Sequence, residues 1–270
     1  MAIEGQVDIR FYAELRDLLA PGHRSGRISH GVVATQSIKD VVESYGIPHT
    51  EVDVILVGGE SVDFAYRPVA GDRISVYPVF ESFDITPLVR LRPEPLRDTC
   101  FVLDGHLGKL ARRLRLLGFD CVYAIDPADD DLVSISLAER RILLTRDRFL
   151  LRRRSVRHGY LLRSDQPDEQ VREVVRRFQL SGSIEPFTRC PACNGVLTPV
   201  EKATIEHHLP PGTRRTFDDF RTCPDCGRDY WRGAHHARLA RMVDEARAAE
   251  DSSAASGQAA GSSRTDDGER

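Results

Sequence analysis

Apolar positions in the N-terminal part of the chain follow the spacings typical of strands and helices. Residues 7–12 alternate apolar and polar side chains, which predicts a half-buried strand. Ser37 precedes an apolar stripe at helical spacing that ends at Gly46. Residues 52–57 and 74–79 are two further apolar runs beside glycine-containing turns. This order predicts a small α+β domain.

Further along the chain, short apolar runs alternate with helical patterns, as in an α/β sheet. The runs at 100–103 and 142–144 are followed by acids, Asp104 and Asp147. Functional groups gather at the carboxyl ends of strands in such sheets, and two aspartates at one edge could hold a hard cation. An aspartate at a strand end also caps a following helix, so both interpretations are open.

The two helical patterns between these acids carry distinctive charges. Residues 107–117 have an apolar stripe, and the other faces carry cations, among them Arg115. Gly118 is predicted to close this helix. Residues 129–131 are three aspartates just before the second helical pattern, where at least one is expected to be an N-cap.

Charge and length narrow the function classes. The net charge of −3 gives no overall attraction to nucleic acid, but arginines crowd residues 146–157 directly after Asp147. This run predicts a phosphate-binding surface, with a solvated helix face as the alternative. The 270 residues suffice for two or three small domains. No apolar stretch could cross a bilayer and the N-terminus is unlike a signal peptide, so we expect a cytoplasmic protein without membrane contact.

The cysteines fall into two groups. Two C-x-x-C pairs are the most specific motif of the chain: Cys190, Cys193, Cys223 and Cys226. Two such pairs complete a tetrahedron of thiolates, which predicts a structural zinc ion. Cys100 and Cys121 lie in apolar runs and are expected to be buried thiols.

Several segments resemble the Mut7-C family, a PIN-like ribonuclease domain with a zinc ribbon. They are FVLDGHLGKLARRLRLLGFDC, ILLTRDRFLL and the paired CPxC knuckles that end in CGRDYWRGAHH. The resemblance implies an α/β PIN-like domain with a mostly parallel sheet, in which acids surround Mg²⁺ or Mn²⁺. It also implies the positions of the acids, which by matching are Asp104, Asp131, Asp147 and, as a fourth candidate, Asp165. Where the family usually has a hydrophobic residue, this chain has His106.

The N-terminal segments VDIRFYAELRDLL and VAGDRISVYPV resemble the ubiquitin-like β-grasp sulfur carriers. They are more similar to the β-grasp domain that is fused ahead of Mut7-C nucleases. Sulfur carriers end in a free Gly-Gly, whereas here the last strand runs on into residues 80–83. We therefore expect a docking or scaffolding role with a protein partner rather than carrier chemistry.

These patterns predict a succession of domains. The expected order is a β-grasp domain at 1–82, a proline-containing linker at 83–97, a PIN-like nuclease domain at 98–186, a zinc ribbon with a C-terminal helix at 187–248, and a disordered tail at 249–270. The linker predicts few core contacts between the first domain and the rest.

The expected function is metal-dependent hydrolysis of RNA by the acids, with the zinc ion as a structural element. The side chains expected to hold the phosphate backbone are Lys109, Arg112, Arg113, Arg146, Arg148 and Arg152. The alternative is a non-catalytic RNA- or ribosome-binding adaptor, in which the acids only cap helices.

Overall fold

The structure is a computed structural model that describes residues 3–78, 91, 99–231 and 241. The predicted linker (apart from residue 91), the predicted tail and nearly all of the predicted C-terminal helix lie outside these residues. The chain forms two compact units, one made of residues 1–107 and 123–163 and the other of residues 108–122 and 164–270. Within the described residues, no helix is long and apolar enough to cross a membrane.

The secondary structure elements follow in chain order. The strands are β1 (Gly5–Phe11), β2 (Arg27–Val32), β3 (Val52–Val57), β4 (Glu60–Val62), β5 (Arg73–Pro78), β6 (Phe101–Leu103), β7 (Cys121–Tyr123), β8 (Ile142–Thr145), β9 (Gly159–Leu161), β10 (Thr198–Pro199), β11 (Phe220–Thr222) and β12 (Asp229–Trp231). The α-helices are α1 (Leu15–Leu18), α2 (Ile38–Ser44), α3 (Gly108–Leu116), α4 (Asp129–Ala138), α5 (Arg148–Leu151), α6 (Pro167–Arg177), α7 (Lys202–Ile205) and α8 (Pro211–Thr216).

The N-terminal part is a mixed sheet with one main helix, which confirms the predicted α+β β-grasp domain. Its strand order is β2-β1-β5-β3-β4, with β1 and β5 parallel. Helix α2 begins with a capping box: Asp40 N–H donates to Ser37 Oγ at 3.2 Å, and Ser37 N–H donates to Asp40 Oδ2 at 3.1 Å. Gly46 follows the helix with φ +85°, so both predicted ends of this helix are confirmed.

A second, four-stranded sheet has the order β7-β6-β8-β9. The pairs β6–β8 and β8–β9 are parallel, in a register that places Leu103 beside Leu144 and Thr145 beside Leu161. Strands β6, β8 and β9 are buried along their whole length, as expected for a parallel sheet covered on both faces. The predicted mostly parallel sheet is therefore confirmed for these pairs.

The N-terminal domain contacts edge strand β9 within the first unit. Glu51, only 2% exposed, accepts the N–H of Leu161 at 2.9 Å through Oε1. His49 contacts the carbonyl oxygen of Val156 through Nε2 at 3.2 Å, and its Nδ1 lies 2.8 Å from Glu43 Oε1. Glu51 therefore pairs a backbone donor of an edge strand, a group that is costly to bury without a partner. The proline-containing linker predicts few contacts between the N-terminal domain and the rest of the chain. The buried hydrogen bonds to β9 were not expected from that prediction.

The second unit contains helices α3 and α6 and a small antiparallel sheet of order β10-β11-β12. Helix α3 buries an apolar stripe, and Gly118 ends it with φ +98°, as predicted. Thr204 and Ile205 lie in the short helix α7. Ile205 is buried in a cluster with Phe220, and a short apolar run does not distinguish strand from helix.

Candidate functional site

Two acids meet at the carboxyl edge of the second sheet. Asp104 follows β6, and its N–H donates to the carbonyl oxygen of Leu144 at 3.1 Å, which extends the parallel ladder by one bond. Asp147 follows the neighbouring strand β8. Both acids line a cleft of about 380 Å³, together with His106, Leu107 and Arg146. The structure thus brings together the two strand-end acids that the sequence singles out.

Thr145, at the end of β8, connects the two acids and is fully buried. Its hydroxyl donates to Asp104 Oδ2 at 2.7 Å, and its Oγ1 accepts the N–H of Asp147 at 2.9 Å. One side chain therefore fixes both the Asp104 carboxylate and the backbone of Asp147. Sequence reasoning assigned Thr145 no role, although a polar residue that ends an otherwise apolar strand was an available signal.

Asp147 also acts as a helix cap. Its Oδ1 accepts the N–H of Phe149 at 2.7 Å, which caps α5 and confirms the structural interpretation for this residue. Within the described residues, Asp147 Oδ2 and Asp104 Oδ1 accept no hydrogen bond. Each carboxylate therefore keeps one oxygen available, and carboxylate oxygens are the donors that Mg²⁺ and Mn²⁺ prefer.

The two remaining candidate acids are placed differently. Asp131 is exposed in the first turn of α4 and is not one of the described residues lining the cleft. Asp165 belongs to the second unit, is exposed, and accepts a hydrogen bond from Gln166 Nε2 at 3.2 Å. Among the described residues, no three carboxylates bring their oxygens within 4.8 Å of one another. Metal binding by Asp131 and Asp165 stays a prediction.

None of the three aspartates that open α4 caps it, so that expectation is wrong. The N-cap position is Ala128, which offers no side-chain acceptor. Asp129 instead pairs with Arg153 at 3.1 Å, and Asp130 contacts the same guanidinium. All three acids lie in the first turn, where negative charge is favourable to the helix dipole.

The cations predicted to contact RNA differ in their surroundings. Arg146 lines the cleft, whereas Arg152 lies 3.6 Å from Glu43 Oε2 and Arg148 Nη1 approaches Gly46.

The cations on α3 also divide. Arg113 pairs with Asp168 at 3.1 Å. Lys109 and Arg112 are exposed, and neither forms an ion pair within the described residues. Within the described part of the chain, Arg146 and Arg148 likewise form no ion pair, whereas Arg113 and Arg152 each lie beside a carboxylate.

The four cysteines of the paired motifs converge as predicted. All four sulfur atoms lie within 4.8 Å of one another, with Cys190 and Cys226 at 3.6 Å and Cys193 and Cys223 at 3.4 Å. A tight turn shapes each pair: Asn194 N–H donates to the carbonyl oxygen of Cys190 at 2.9 Å, and the second pair has the equivalent bond. A group of four close thiols could hold a metal such as zinc.

The surroundings of the four cysteines favour one thiolate and oppose the formation of further thiolates. Burial opposes ionisation of Cys190 more than any other single effect. The hydroxyl of Tyr230, 3.0 Å from its Sγ, and the backbone N–H groups of Ala192 and Cys193 outweigh burial together and lower the pKa of Cys190 to about 6. Burial raises the pKa of Cys193 to about 12. Further negative charge here therefore requires a compensating cation, which a divalent metal would supply.

The first cysteine pair is attached to helix α3 by a residue that sequence reasoning placed on a polar helix face. Arg115 is 5% exposed and donates to the carbonyl oxygens of Cys121, at 2.7 Å from Nη2, and of Ala192, at 3.0 Å from Nη1. Burial lowers its pKa. Asn194, at φ +77°, accepts the N–H of Cys121 at 2.9 Å and donates to Asp120 at 2.8 Å. The cysteine loop and the α3–β7 connection thus share one buried hydrogen-bond network.

Comparisons with protein families agree with this organisation. Residues 99–243 match the family described as Mut7-C RNAse domain, and residues 5–84 match the family described as Mut7-C ubiquitin. A solved structure titled "Crystal structure of SAMP1 from Haloferax volcanii" is similar at 16% identity and a TM-score of 0.24, over 29% of this chain and 100% of that one. No curated protein matches the chain. The family matches cover the segments that carried both resemblances.

Proposed function

The chain belongs to the Mut7-C RNAse domain family, and we propose that it is a metal-dependent ribonuclease whose reaction takes place in the cleft between Asp104 and Asp147. The observation that carries the proposal is that Thr145 links the carboxylate of Asp104 to the backbone N–H of Asp147, while one oxygen of each carboxylate accepts no hydrogen bond in the described part of the chain. A parallel sheet with acids at its carboxyl edge also supports a PIN-like arrangement.

The donor set in the cleft suits Mg²⁺ or Mn²⁺. Magnesium in nucleotide-processing sites is held by one or two carboxylates, with water and substrate phosphate completing the octahedron. Asp104 and Asp147 would provide the carboxylates, and Asp131 and Asp165 are proposed as further acids. When bound, the ion polarises the scissile phosphate and lowers the pKa of an attacking water.

The chain's own residues would bind and orient the substrate. Arg146 lines the cleft together with both acids and would contact a phosphate oxygen. Lys109 and Arg112 would add phosphate contacts from α3, and Arg148 would add one from α5. Arg113 and Arg152 would do so only after leaving their carboxylate partners. Phosphate contacts of this kind position a nucleic acid without reading its sequence.

We assign the cysteine quartet a structural zinc ion. Four thiolates leave no open coordination position, so the metal would stabilise the second unit rather than take part in hydrolysis. The ubiquitin-like domain is proposed to dock a protein partner, because no sulfur-carrier terminus follows it in the sequence.

A second candidate function is a non-catalytic RNA-binding adaptor. The cap that Asp147 provides for α5, and the position of Asp131 outside the described cleft lining, favour it. Dependence of cleavage on a divalent ion separates the two functions.

The test compares Asp104→Asn and Asp147→Asn with Asp17→Asn, an exposed aspartate of α1. Cleavage of single-stranded RNA is measured with Mg²⁺, with Mn²⁺ and with chelator. Asparagine keeps an oxygen that can cap α5 at position 147 and one that can accept the Thr145 hydroxyl at position 104, so the stability loss should be about 1 kcal/mol or less. We expect cleavage to fall by orders of magnitude in the first two variants, with RNA binding retained and the control unchanged. Cleavage that persists in chelator, or in both variants, would rule out the proposed mechanism.

A further inference from the structure

The N-terminal sheet presents a second basic surface, on the strands β2, β1 and β5. Residues alternate along each strand between the buried face and an exposed face. The exposed face carries Arg27 on β2, Arg10 on β1 and Arg73 on β5, which we call the arginine face. These side chains line a shallow concavity of about 510 Å³ together with Tyr12 and the small residues between them.

The arginines of this face are not neutralised by their neighbours. Arg10 and Arg27 are directly opposite each other in the antiparallel register, where like charges are destabilising. Within the described residues, none of the three arginines forms an ion pair within 4.0 Å. Asp8 lies on the same face, beside Arg73 in the register, and is also outside any ion pair. Three arginines against one aspartate leave the lining with a net charge of +2.

Aromatic rings hold part of this surface in place. Tyr12 and Tyr77 are stacked, with centroids 4.4 Å apart and an interplanar angle of 11°. The guanidinium of Arg10 lies over the Tyr12 ring, 4.7 Å from its centroid. This contact fixes the plane of the guanidinium and leaves its N–H edges available for hydrogen bonds.

The pKa of Tyr12 reflects the local charge. Burial raises it most, but hydrogen bonds with Ser75 and Tyr77 and the charges of Arg10 and Arg27 together lower it below its usual value. The face is therefore a site where negative charge is stabilised.

We infer that the arginine face binds the phosphate backbone of single-stranded RNA, which would make the N-terminal domain a second RNA-binding surface of the chain. This inference rests on the proposed function, because that function supplies RNA as the polyanion. Planar guanidinium groups match phosphate oxygens two at a time, and a basic groove that follows the phosphate backbone is typical of proteins that bind single strands. An acidic protein segment is the competing occupant, and the test below separates the two.

The test measures RNA binding independently of cleavage. A labelled single-stranded RNA of about 16 nucleotides, near the upper end of single-domain site sizes, is titrated in chelator and followed by fluorescence anisotropy. The full-length chain, Arg10→Gln/Arg27→Gln and the matched control Arg24→Gln/Arg67→Gln are compared. Both variants remove two exposed charges from the same domain, but Arg24 and Arg67 lie outside the arginine face.

Loss of two phosphate contacts should reduce the slope of log K against log salt by about 1.4, since each contact on a single strand contributes about 0.7. We expect affinity at low salt to fall by roughly tenfold in Arg10→Gln/Arg27→Gln and by less in Arg73→Gln, with the control unchanged. A denaturation midpoint of Arg10→Gln/Arg27→Gln that is no lower than that of the control variant would show that the effect is not one of folding.

Polyglutamate, a model of an acidic protein segment, is titrated in the same way. Two results would overturn the inference: identical RNA affinity and salt slope in both double variants, or an Arg10→Gln/Arg27→Gln variant that loses polyglutamate binding but keeps RNA binding. The second result would identify an acidic protein as the occupant. Neither result touches the proposed function, which is tested by cleavage in the Asp104 and Asp147 variants. Conversely, cleavage that resists chelator would rule out the proposed function. A loss of RNA binding in the arginine-face variant would still show that this face binds RNA.

Discussion

Replacing Thr145 with valine should weaken both the fold and the proposed activity. Valine has nearly the same shape as threonine but lacks the hydroxyl that donates to Asp104 and accepts the N–H of Asp147. The site is fully buried, so the methyl group that replaces the hydroxyl fits without a cavity. The change therefore isolates the two hydrogen bonds.

The magnitude follows from the two bonds. A hydrogen bond to a charged acceptor contributes about 1.5–3 kcal/mol, and an N–H left without a partner costs about 1–3 kcal/mol. Asp104 is partly exposed, so water can replace the lost donor. The contribution of this hydrogen bond is therefore taken at the low end of its range. We expect a total loss of about 2.5–4.5 kcal/mol in the free energy of unfolding.

Urea unfolding should show this loss as a lower midpoint at an unchanged slope. Cleavage should fall by about 10- to 100-fold, as is typical when a residue that orients metal ligands is removed. Thr145→Ser keeps the hydroxyl and is the matched control, with cleavage close to that of the unaltered chain. If the valine variant is as stable and as active as the unaltered chain, the bridge between the two acids has no role.

Two other changes test the rest of the molecule. We expect the unaltered chain to bind about one metal ion, measured by elemental analysis. Cys193→Ser should release most of this metal, whereas the control Cys100→Ser should retain it. Full retention in Cys193→Ser would exclude the quartet as the metal site. Glu51→Ala should lower the free energy of unfolding by about 1–3 kcal/mol because the N–H of Leu161 loses its acceptor. Glu51→Gln should lower the free energy of unfolding by less. Glu60→Ala, at an exposed position of β4, should leave it almost unchanged. Equal melting of all three variants would show that the N-terminal domain does not stabilise strand β9.

Local signals explain why much of the fold could be predicted from the sequence. The capping box at Ser37 and Asp40 involves residues three apart, and β3 coincides with the predicted run at 52–57. Asp104 and Asp147 could be paired from sequence because parallel strands that end in acids place them at the same edge.

Long-range contacts explain what could not be predicted. The charge of Arg115 suggests a solvated helix face, but its partners are backbone carbonyls that lie 6 and 77 residues away in the chain. Glu51 reads as an ordinary polar residue, and its partner Leu161 is 110 residues away. Periodicity carries no information on such pairings, and in both cases a buried polar side chain satisfies backbone groups of another segment.

The two cysteine pairs are 30 residues apart when measured between Cys193 and Cys223, and a metal held by both pairs closes the segment between them into a loop. The entropy of closing a flexible loop of this size is about 3 kcal/mol, and doubling the length would add only about 0.6 kcal/mol. Helix α8 lies in this loop and buries none of its residues. The length of the chain at α8 is therefore under weak thermodynamic constraint, and a peptide inserted there should disturb metal binding little.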